Sequence, residues 1–223
     1  MKHKVISLKR FGEYTYELVC TRENIQFIPG DCVGIRNSYT TRSKPYSIAS
    51  SPKEDLLRFY VKLTYTIGEL QPVSVSQFVS SLRSGEEIDI SEPFGYFRPG
   101  KNGENRKYIY IATGTGMAPF VSALGHYTHK PEMILYGVRY HGDIVPIPAN
   151  DLGLYNIAVS NMSNGLPKRI DAYYSMLPTD KPTEYDYYLC GLEEMISDCS
   201  QYLTQRGVPT HHIQMENFYT QIH

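Results

Sequence analysis

The chain has 223 residues, a length that accommodates one large domain or two modest ones. Hydrophobic residues make up 41% of it and charged residues 20%, a balance that supports a packed core and excludes a disordered polypeptide. The formal net charge of −1 argues against a nucleic-acid-binding protein, because such proteins usually carry a basic excess.

The four cysteines and the lack of long apolar runs indicate a cellular compartment. No two cysteines have the C-x-x-C spacing of a zinc site, and none of their spacings is typical of an iron–sulfur cluster, so we expect no metal centre. The first residues lack the apolar core of a signal peptide, and no apolar run approaches the ~20 residues that span a bilayer. These features predict a cytoplasmic protein without membrane insertion.

Residues 4–63 have the texture of an all-β domain. Five short segments rich in β-branched and aromatic residues are separated by turn residues, which predicts a small barrel or sandwich. Residues 73–82 are expected to form a short helix, and residues 87–91 one more strand. Residues 98–106 are polar and contain two glycines and a proline, so they are the best candidate for a linker.

Strands and helices alternate after this linker, which predicts right-handed βαβ units and a parallel sheet. The expected strands are residues 108–112, 133–137, 155–159 and 187–190. The expected helices are residues 119–127, 169–176 and 193–205. The chain therefore divides into a β-rich half and an α/β half of the nucleotide-binding type.

The stretch YIYIATGTGMAPF, residues 108–120, has the order strand, glycine turn and helix start that holds phosphate groups. Gly191, directly after a strand and before a helix, repeats this turn chemistry. Because the carboxyl ends of parallel strands share one edge of a sheet, we expect the two turns to lie together there. An ordinary βα turn with two convenient glycines is the alternative explanation of the first motif.

Four motifs in order along the chain resemble those of the ferredoxin–NADP reductase superfamily of flavoproteins. They are KPYSIAS (44–50), SQFVSSLRSGEEIDISEPFGYF (76–97), ATGTGMAPF (112–120) with LYGVR (135–139), and YLCGLEEM (188–195). The resemblance implies a six-stranded antiparallel FAD-binding barrel in residues 1–100 and an NAD(P)-binding α/β domain in residues 104–223. It also implies that hydride passes from the nicotinamide to the flavin, which then releases electrons to an acceptor.

On the flavin side, the resemblance assigns Tyr46 to stacking on the isoalloxazine ring and Ser47 to the hydroxyl near the flavin N5 atom. The family usually has arginine where this chain has Lys44, which loses the bidentate contact to the pyrophosphate; Arg42 is expected to compensate. Val73 stands where the family has glycine. Further cofactor contacts implied by position are Pro45, Val61, Lys62, Leu63 and the helix-capping Ser76.

On the nicotinamide side, the motif residues match the family without substitution. They are Thr113, Gly114, Thr115, Gly116, Pro119, Gly137, Arg139, Cys190 and Gly191. Cys190 is implied to lie near the nicotinamide carbon that gives up hydride. Ser160 is followed by Asn161 rather than the family arginine, and Lys168 and Arg169 are expected to bind the 2′-phosphate instead, which favours NADPH over NADH.

The stretch MENFY (215–219), which follows these four motifs, resembles the acidic and aromatic end of the family. Glu216 matches the carboxylate near the active site, and Phe218, with Tyr219 as its rival, matches the ring that covers the flavin. The catalytic set implied by the resemblance is therefore Ser47, Cys190 and Glu216.

Together these features predict an FAD-dependent oxidoreductase that takes electrons from NADPH or NADH and passes them to a protein such as ferredoxin or flavodoxin. A reductase component of an oxygenase and a reductase of free flavin or ferric complexes share every motif. A non-catalytic flavin- or nucleotide-binding subunit of an electron-transfer complex is the alternative from another class. The motifs do not distinguish between acceptors or oligomeric states.

Overall fold

Six antiparallel strands form the first half of the chain in the computed structural model, which describes residues 1–38, 42–64, 74–161 and 170–217. Their order across the sheet is β4-β3-β6-β1-β2-β5. The two edge strands approach each other where the Ala49 N–H donates to the carbonyl of Arg58 at 2.8 Å, so the sheet curls towards the barrel that the motifs implied. The strands are β1 (Lys2–Phe11), β2 (Thr15–Thr21), β3 (Cys32–Arg36), β4 (Ser43–Ser47), β5 (Leu56–Lys62) and β6 (Glu87–Ile90).

Alternating apolar residues give this sheet a core on one face. Leu18 and Cys20 on β2 and Leu57 and Phe59 on β5 are fully buried, whereas the intervening residues are partly exposed. A side chain on every second residue of a strand points to the same face, so this pattern builds a single apolar layer. The predicted β-rich half is therefore confirmed.

A short helix, α1 (Val75–Ser81), covers one end of this core with Phe78 and Val79. Its N-cap is Ser74, whose side chain accepts from the Gln77 N–H while the Gln77 side chain accepts from the Ser74 N–H. The assignment of Ser76 as the cap is therefore wrong. This reciprocal pair is a capping box, and it begins the helix earlier in the chain than the resemblance suggested.

Five parallel strands form the second sheet, in the order β11-β10-β7-β8-β9. They are β7 (Lys107–Thr113), β8 (Met133–Val138), β9 (Tyr155–Val159), β10 (Tyr185–Gly191) and β11 (Ile213–Asn217), with helices α2 (Ala118–His126) and α3 (Glu193–Gln205). The predicted α/β half is confirmed, and β11 is an additional edge strand that was not predicted. The helix expected at 169–176 is wrong within the described residues, because Ile170–Met176 forms 3-10 turns.

The two sheets share an aromatic core. Phe97, which follows the first sheet, packs edge-on against Phe120 of α2 and Tyr188 of β10, with ring centroids 5.8 and 6.0 Å apart. The buried Ser122 hydroxyl donates to the carbonyl of Ser50 at 2.7 Å. These contacts fix the nucleotide-type half directly against the β-rich half, so side chains from both halves form one site.

Residues 98–106, expected to be a linker, form successive tight turns. Gly100 has a φ of +77°, and a Cβ there would overlap the Tyr110 hydroxyl and lie in tight contact with the Tyr108 ring. The segment is therefore packed on the second sheet, and the domain limits of 1–100 and 104–223 remain predictions. Among the described residues, every helix is too short or too polar to cross a bilayer.

Candidate functional site

The two glycine turns meet at the carboxyl edge of the parallel sheet. Cys190 pairs with Ala112 across β10 and β7, and the Leu192 N–H donates to the Thr113 hydroxyl at 2.9 Å. A Cβ on Gly116 would overlap the Cys190 carbonyl, and a Cβ on Gly191 would overlap Thr113. The expectation that the turns lie together is confirmed, and the structure supplies a packing reason for two of the glycines that needs no ligand.

Gly114 differs from these two. It has a φ of +53°, and a Cβ placed there would meet no atom within 4 Å. It begins a 3-10 turn that leads directly into α2, and the Tyr136 hydroxyl donates to its carbonyl at 3.0 Å. The Gly114 backbone is therefore held by Tyr136 through its carbonyl and is free of neighbouring atoms on the side where a Cβ would lie. This arrangement lets a ligand approach the main chain closely.

The three residues predicted to be catalytic come together from both halves of the chain. Glu216, on β11, lies opposite Cys190 of β10 in the parallel register. Its Oε2 atom accepts from the Ser47 hydroxyl of β4 at 3.2 Å and from the Cys190 thiol at 3.8 Å. These residues are up to 169 positions apart in sequence, so only the folded chain assembles them.

A fourth side chain, Cys32, belongs to this group and was missed by sequence reasoning. Its thiol donates to Glu216 Oε1 at 3.5 Å and lies 3.5 Å from the Ser47 Oγ atom. Cys32 is the direct antiparallel partner of Ser47 across β3 and β4. Residues paired in this way point to the same face of a sheet, so a correct pairing of the KPYSIAS strand with β3 was the signal that could have found it.

Burial controls the charges of this cluster. It raises the pKa of the Cys32 thiol to about 12, and the nearby Glu216 carboxylate contributes to that rise. Burial also raises the pKa of Cys190 well above its ordinary value. Both thiols therefore keep their protons at neutral pH and act as donors. Burial raises the pKa of Glu216, whereas the hydrogen bonds from Cys32, Ser47 and Cys190 lower it in part.

The flavin-side residues on β4 share a desolvated face. Lys44 and Tyr46 are two residues apart on one strand and so point the same way. Burial lowers the pKa of Lys44, and the buried Tyr46 hydroxyl has no hydrogen-bond partner among the described residues. A desolvated cation is stabilised by an anion, and an orphaned hydroxyl by a polar ligand. The strand therefore fits a bound pyrophosphate and flavin.

The Tyr46 ring is only 8% exposed and packs within the β-sheet core, so its stacking on the isoalloxazine stays a prediction. The same holds for the other assigned contacts. Val61 and Leu63 are buried, while Arg42, Pro45 and Lys62 are exposed. Ser76 is buried in α1, where its hydroxyl lies 2.9 Å from that of Thr64 and accepts from the Thr64 N–H at 3.0 Å.

The expected 2′-phosphate region lies at the ends of β8 and β9. The Ser160 N–H donates to the Val138 carbonyl at 2.9 Å, and the Asn161 N–H donates to that of Arg139 at 2.8 Å. Arg139 is exposed, with its guanidinium 5.5 Å from the centre of the Tyr140 ring. The two strand ends therefore present Arg139 and Ser160 side by side. Lys168, Arg169, Val73, Phe218 and Tyr219 lie outside the described residues.

Comparisons with known proteins agree with the family resemblance. No protein-family model matches the chain. The toluate 1,2-dioxygenase electron transfer component of Pseudomonas putida is 26% identical over 212 residues, covering 87% of this chain and 58% of that protein. One component of the Na(+)-translocating NADH-quinone reductase of Pasteurella multocida is 25% identical over 201 residues, covering 78% and 48%.

Among solved structures, a ferredoxin NADP+ reductase from Neisseria gonorrhoeae, with bound FAD and NADP, superposes with a TM-score of 0.76. It is 20% identical, and the match covers 98% of each chain. The two-domain fold of the ferredoxin–NADP reductases is therefore confirmed, and the two curated relatives are an electron transfer component and a quinone reductase component. The chain spans about half the length of these two relatives, at 58% and 48%.

Proposed function

We propose that this chain, which has the ferredoxin–NADP reductase fold, is an FAD-dependent oxidoreductase that passes electrons from NAD(P)H through the flavin to a protein acceptor. One observation carries the proposal. Ser47 of the β-rich half and Cys190 of the nucleotide-type half both donate to Glu216, at the edge where the glycine turns lie. A buried hydroxyl and a buried thiol that both donate to a partly exposed carboxylate are suited to holding a reactive ring and a proton beside it.

FAD, when bound, supplies the chemistry of accepting hydride and releasing electrons. The chain's own residues would position the FAD and exclude water from it. Lys44 and Tyr46 would hold the pyrophosphate and the ring, and the Ser47 hydroxyl would lie at the flavin edge. Glu216 keeps the Ser47 proton in a fixed direction through the 3.2 Å hydrogen bond. Burial of this cluster excludes water from the place where hydride passes.

The nicotinamide would enter at the carboxyl edge of the parallel sheet, against the open backbone of Gly114. We propose NADPH as the preferred donor, with Arg139 and Ser160 beside the 2′-phosphate and Lys168 and Arg169 completing the basic surroundings. The absence of a carboxylate directly after Ser160 supports this choice, because a carboxylate there would favour the unphosphorylated ribose of NADH.

For the acceptor, we propose a separate protein of the ferredoxin or flavodoxin type. A second candidate is an oxygenase component, which the similarity to the toluate dioxygenase electron transfer component supports. A role as a subunit of a larger complex is supported by the quinone reductase relative. All four cysteines are free thiols, which supports our proposal that the protein works in the cytoplasm.

An anaerobic titration tests the central proposal. The purified protein is loaded with FAD, and the visible flavin band is followed while NADPH and then NADH are added. Bleaching at a low excess of NADPH, with a weaker response to NADH, is expected. A protein that takes up no added FAD, or a bound flavin that neither nucleotide bleaches, would refute the proposal.

Two serine variants test the part played by the cluster. Ser47→Ala should retain FAD yet slow the bleaching phase in stopped-flow measurements, because the donor to Glu216 is lost. Ser7→Ala is the control, since Ser7 lies on an exposed position of β1 in the same domain. Identical bleaching rates in the two variants would remove Ser47 from the mechanism.

A further inference from the structure

Both oxygens of the Glu216 carboxylate accept hydrogen bonds, and they do so from different partners. Oε2 accepts from Ser47 at 3.2 Å and from Cys190 at 3.8 Å. Oε1 accepts from the Cys32 thiol at 3.5 Å. A carboxylate held through one oxygen still turns about its last bond, whereas one held through both oxygens has a fixed plane.

The direction of the Cys32 hydrogen bond follows from the number of protons available. The Ser47 proton is donated to Oε2, so the Ser47 oxygen and Glu216 Oε1 remain as acceptors for the single thiol proton, each 3.5 Å away. An ionised carboxylate is the stronger acceptor of the two. Cys32 therefore donates to Glu216, and Cys32 and Ser47 occupy its two oxygens from adjacent strands.

The backbone holds Cys32 rigidly enough for this task. Its N–H donates to the Phe94 carbonyl at 2.7 Å, and its own carbonyl accepts from the Phe94 N–H at 2.9 Å. The preceding Asp31 forms an ion pair with Arg98 at 2.9 Å and accepts from the Ile28 N–H at 2.9 Å. Cys32 is 7% exposed. A side chain with one rotatable bond on such a backbone has a well-defined position.

From this geometry we infer that Cys32 is a positioning residue for the proposed reductase reaction, fixing the plane of the Glu216 carboxylate from the flavin-binding half of the chain. The inference rests on the proposed function, which it extends by one residue that none of the four family motifs contains. Cys32 acts through Glu216 and has no chemical step of its own.

The groups that face Glu216 determine how its pKa should change when Cys32 is replaced. Cys32 on β3, Ser47 on β4 and Cys190 on β10 donate to it, and the Arg98 cation acts on it through space. All four lower the pKa of Glu216 against the raising effect of burial. Loss of the Cys32 donor alone should therefore raise the pKa of Glu216 further.

Three variants separate this role from packing. Cys32→Val removes the donor and fills the space of the thiol, which keeps water from replacing it. Cys32→Ser restores a donor. Cys20→Val is the matched control, since Cys20 is a fully buried thiol on β2 of the same sheet and lies in its apolar core. Cys32→Ala supplies a second donor-free variant if valine does not fit.

The first measurement is a carbon-13 NMR titration of the glutamate carboxyl groups in the FAD-loaded protein, with the Glu216 signal assigned from Glu216→Gln. The midpoint should move to higher pH in Cys32→Val, stay near the wild-type value in Cys32→Ser and remain unchanged in Cys20→Val. The second is the flavin bleaching rate, which should fall about two- to tenfold in Cys32→Val, as expected for loss of one hydrogen bond. Cys32→Ser should recover it.

A Glu216 midpoint that is the same in wild type, Cys32→Val and Cys32→Ala would overturn the inference. So would equal slowing in Cys32→Val and Cys20→Val, because that result indicates a packing effect. If the midpoint moves as expected but no nucleotide bleaches the wild-type flavin, the proposed function fails while the positioning of Glu216 stands.

Discussion

Substitution of Gly191 by alanine should destabilise the protein more than alanine at any other glycine of the carboxyl edge. Gly191 has a φ of +137°, a conformation that costs a non-glycine residue about 1–3 kcal/mol. The added Cβ would also come within 2.8 Å of the Thr113 carbonyl oxygen, and overlap with backbone atoms costs about another 1–3 kcal/mol. The sum is about 4 kcal/mol, a large part of the ~5–15 kcal/mol that stabilises a typical domain.

Three further alanine variants divide this cost into its parts. Gly116→Ala adds only the overlap with Cys190 and should cost about 2 kcal/mol. Gly114→Ala adds only the left-handed backbone, φ +53°, and should cost about 1 kcal/mol. Gly153 lies in open space without a positive φ, so Gly153→Ala should be neutral or stabilising by up to about 1 kcal/mol.

Urea unfolding followed by far-ultraviolet circular dichroism measures these differences, with the midpoint converted to free energy through a common slope. The expected order of stability is Gly153→Ala, Gly114→Ala, Gly116→Ala and Gly191→Ala. A Gly191→Ala protein within about 0.5 kcal/mol of Gly153→Ala, the usual range of a surface substitution, would refute the close packing of the two turns. Gly114→Ala should also raise the KM for NADPH about tenfold despite its small effect on stability, because its methyl group enters the proposed nucleotide space.

Three other outcomes test the site. Burial raises the pKa of Glu216, so the folded protein binds a proton on this carboxylate more tightly than the unfolded chain does. The free energy of unfolding therefore falls as the pH rises from the ordinary glutamate pKa of 4.5 through the higher pKa of the folded state. Glu216→Gln should therefore unfold at higher urea than wild type at neutral pH, match it in acid, and bleach flavin roughly 10²-fold more slowly. Lys44→Ala should raise the Kd for FAD about tenfold and Lys44→Arg should restore it, whereas equal Kd values would remove Lys44 from the cofactor site. Replacing Lys168 and Arg169 together with alanine should raise the KM for NADPH about tenfold more than that for NADH; equal effects mean that the phosphate is bound elsewhere.

The sequence predicted the fold well because its strand segments differ clearly in composition from its turns. Segments rich in β-branched and aromatic residues between turn residues identified the strands of the first sheet, and short apolar runs between helical segments identified β7 to β10. It did not reveal β11, whose residues IQMEN include only two apolar side chains, one of them the exposed Met215. That strand forms through pairing with β10, which is a tertiary effect that a local pattern does not carry.

The site was predicted only in part, because contacts between residues distant in sequence leave no local pattern. Ser47, Cys190 and Glu216 were found because each lies in a motif. Cys32 was not, because its partner Glu216 is 184 residues away in sequence. The error at Ser76 was avoidable: Ser74 and Gln77 have the spacing of a capping box, which local physics alone identifies as a helix start.

The aromatic core shared by the two sheets has a consequence for protein engineering. Phe97 and Tyr60 from the β-rich half belong to the same apolar cluster as Phe120 and Tyr188 from the nucleotide-type half. Grafting a relative's nucleotide-type half onto this barrel at residue 100 would leave those rings facing partners of the wrong shape. A working chimera must therefore keep the four aromatic residues of this cluster matched to one another. The distance from the Ser47 hydroxyl to the Glu216 carboxylate then shows whether the two halves have the native relative position.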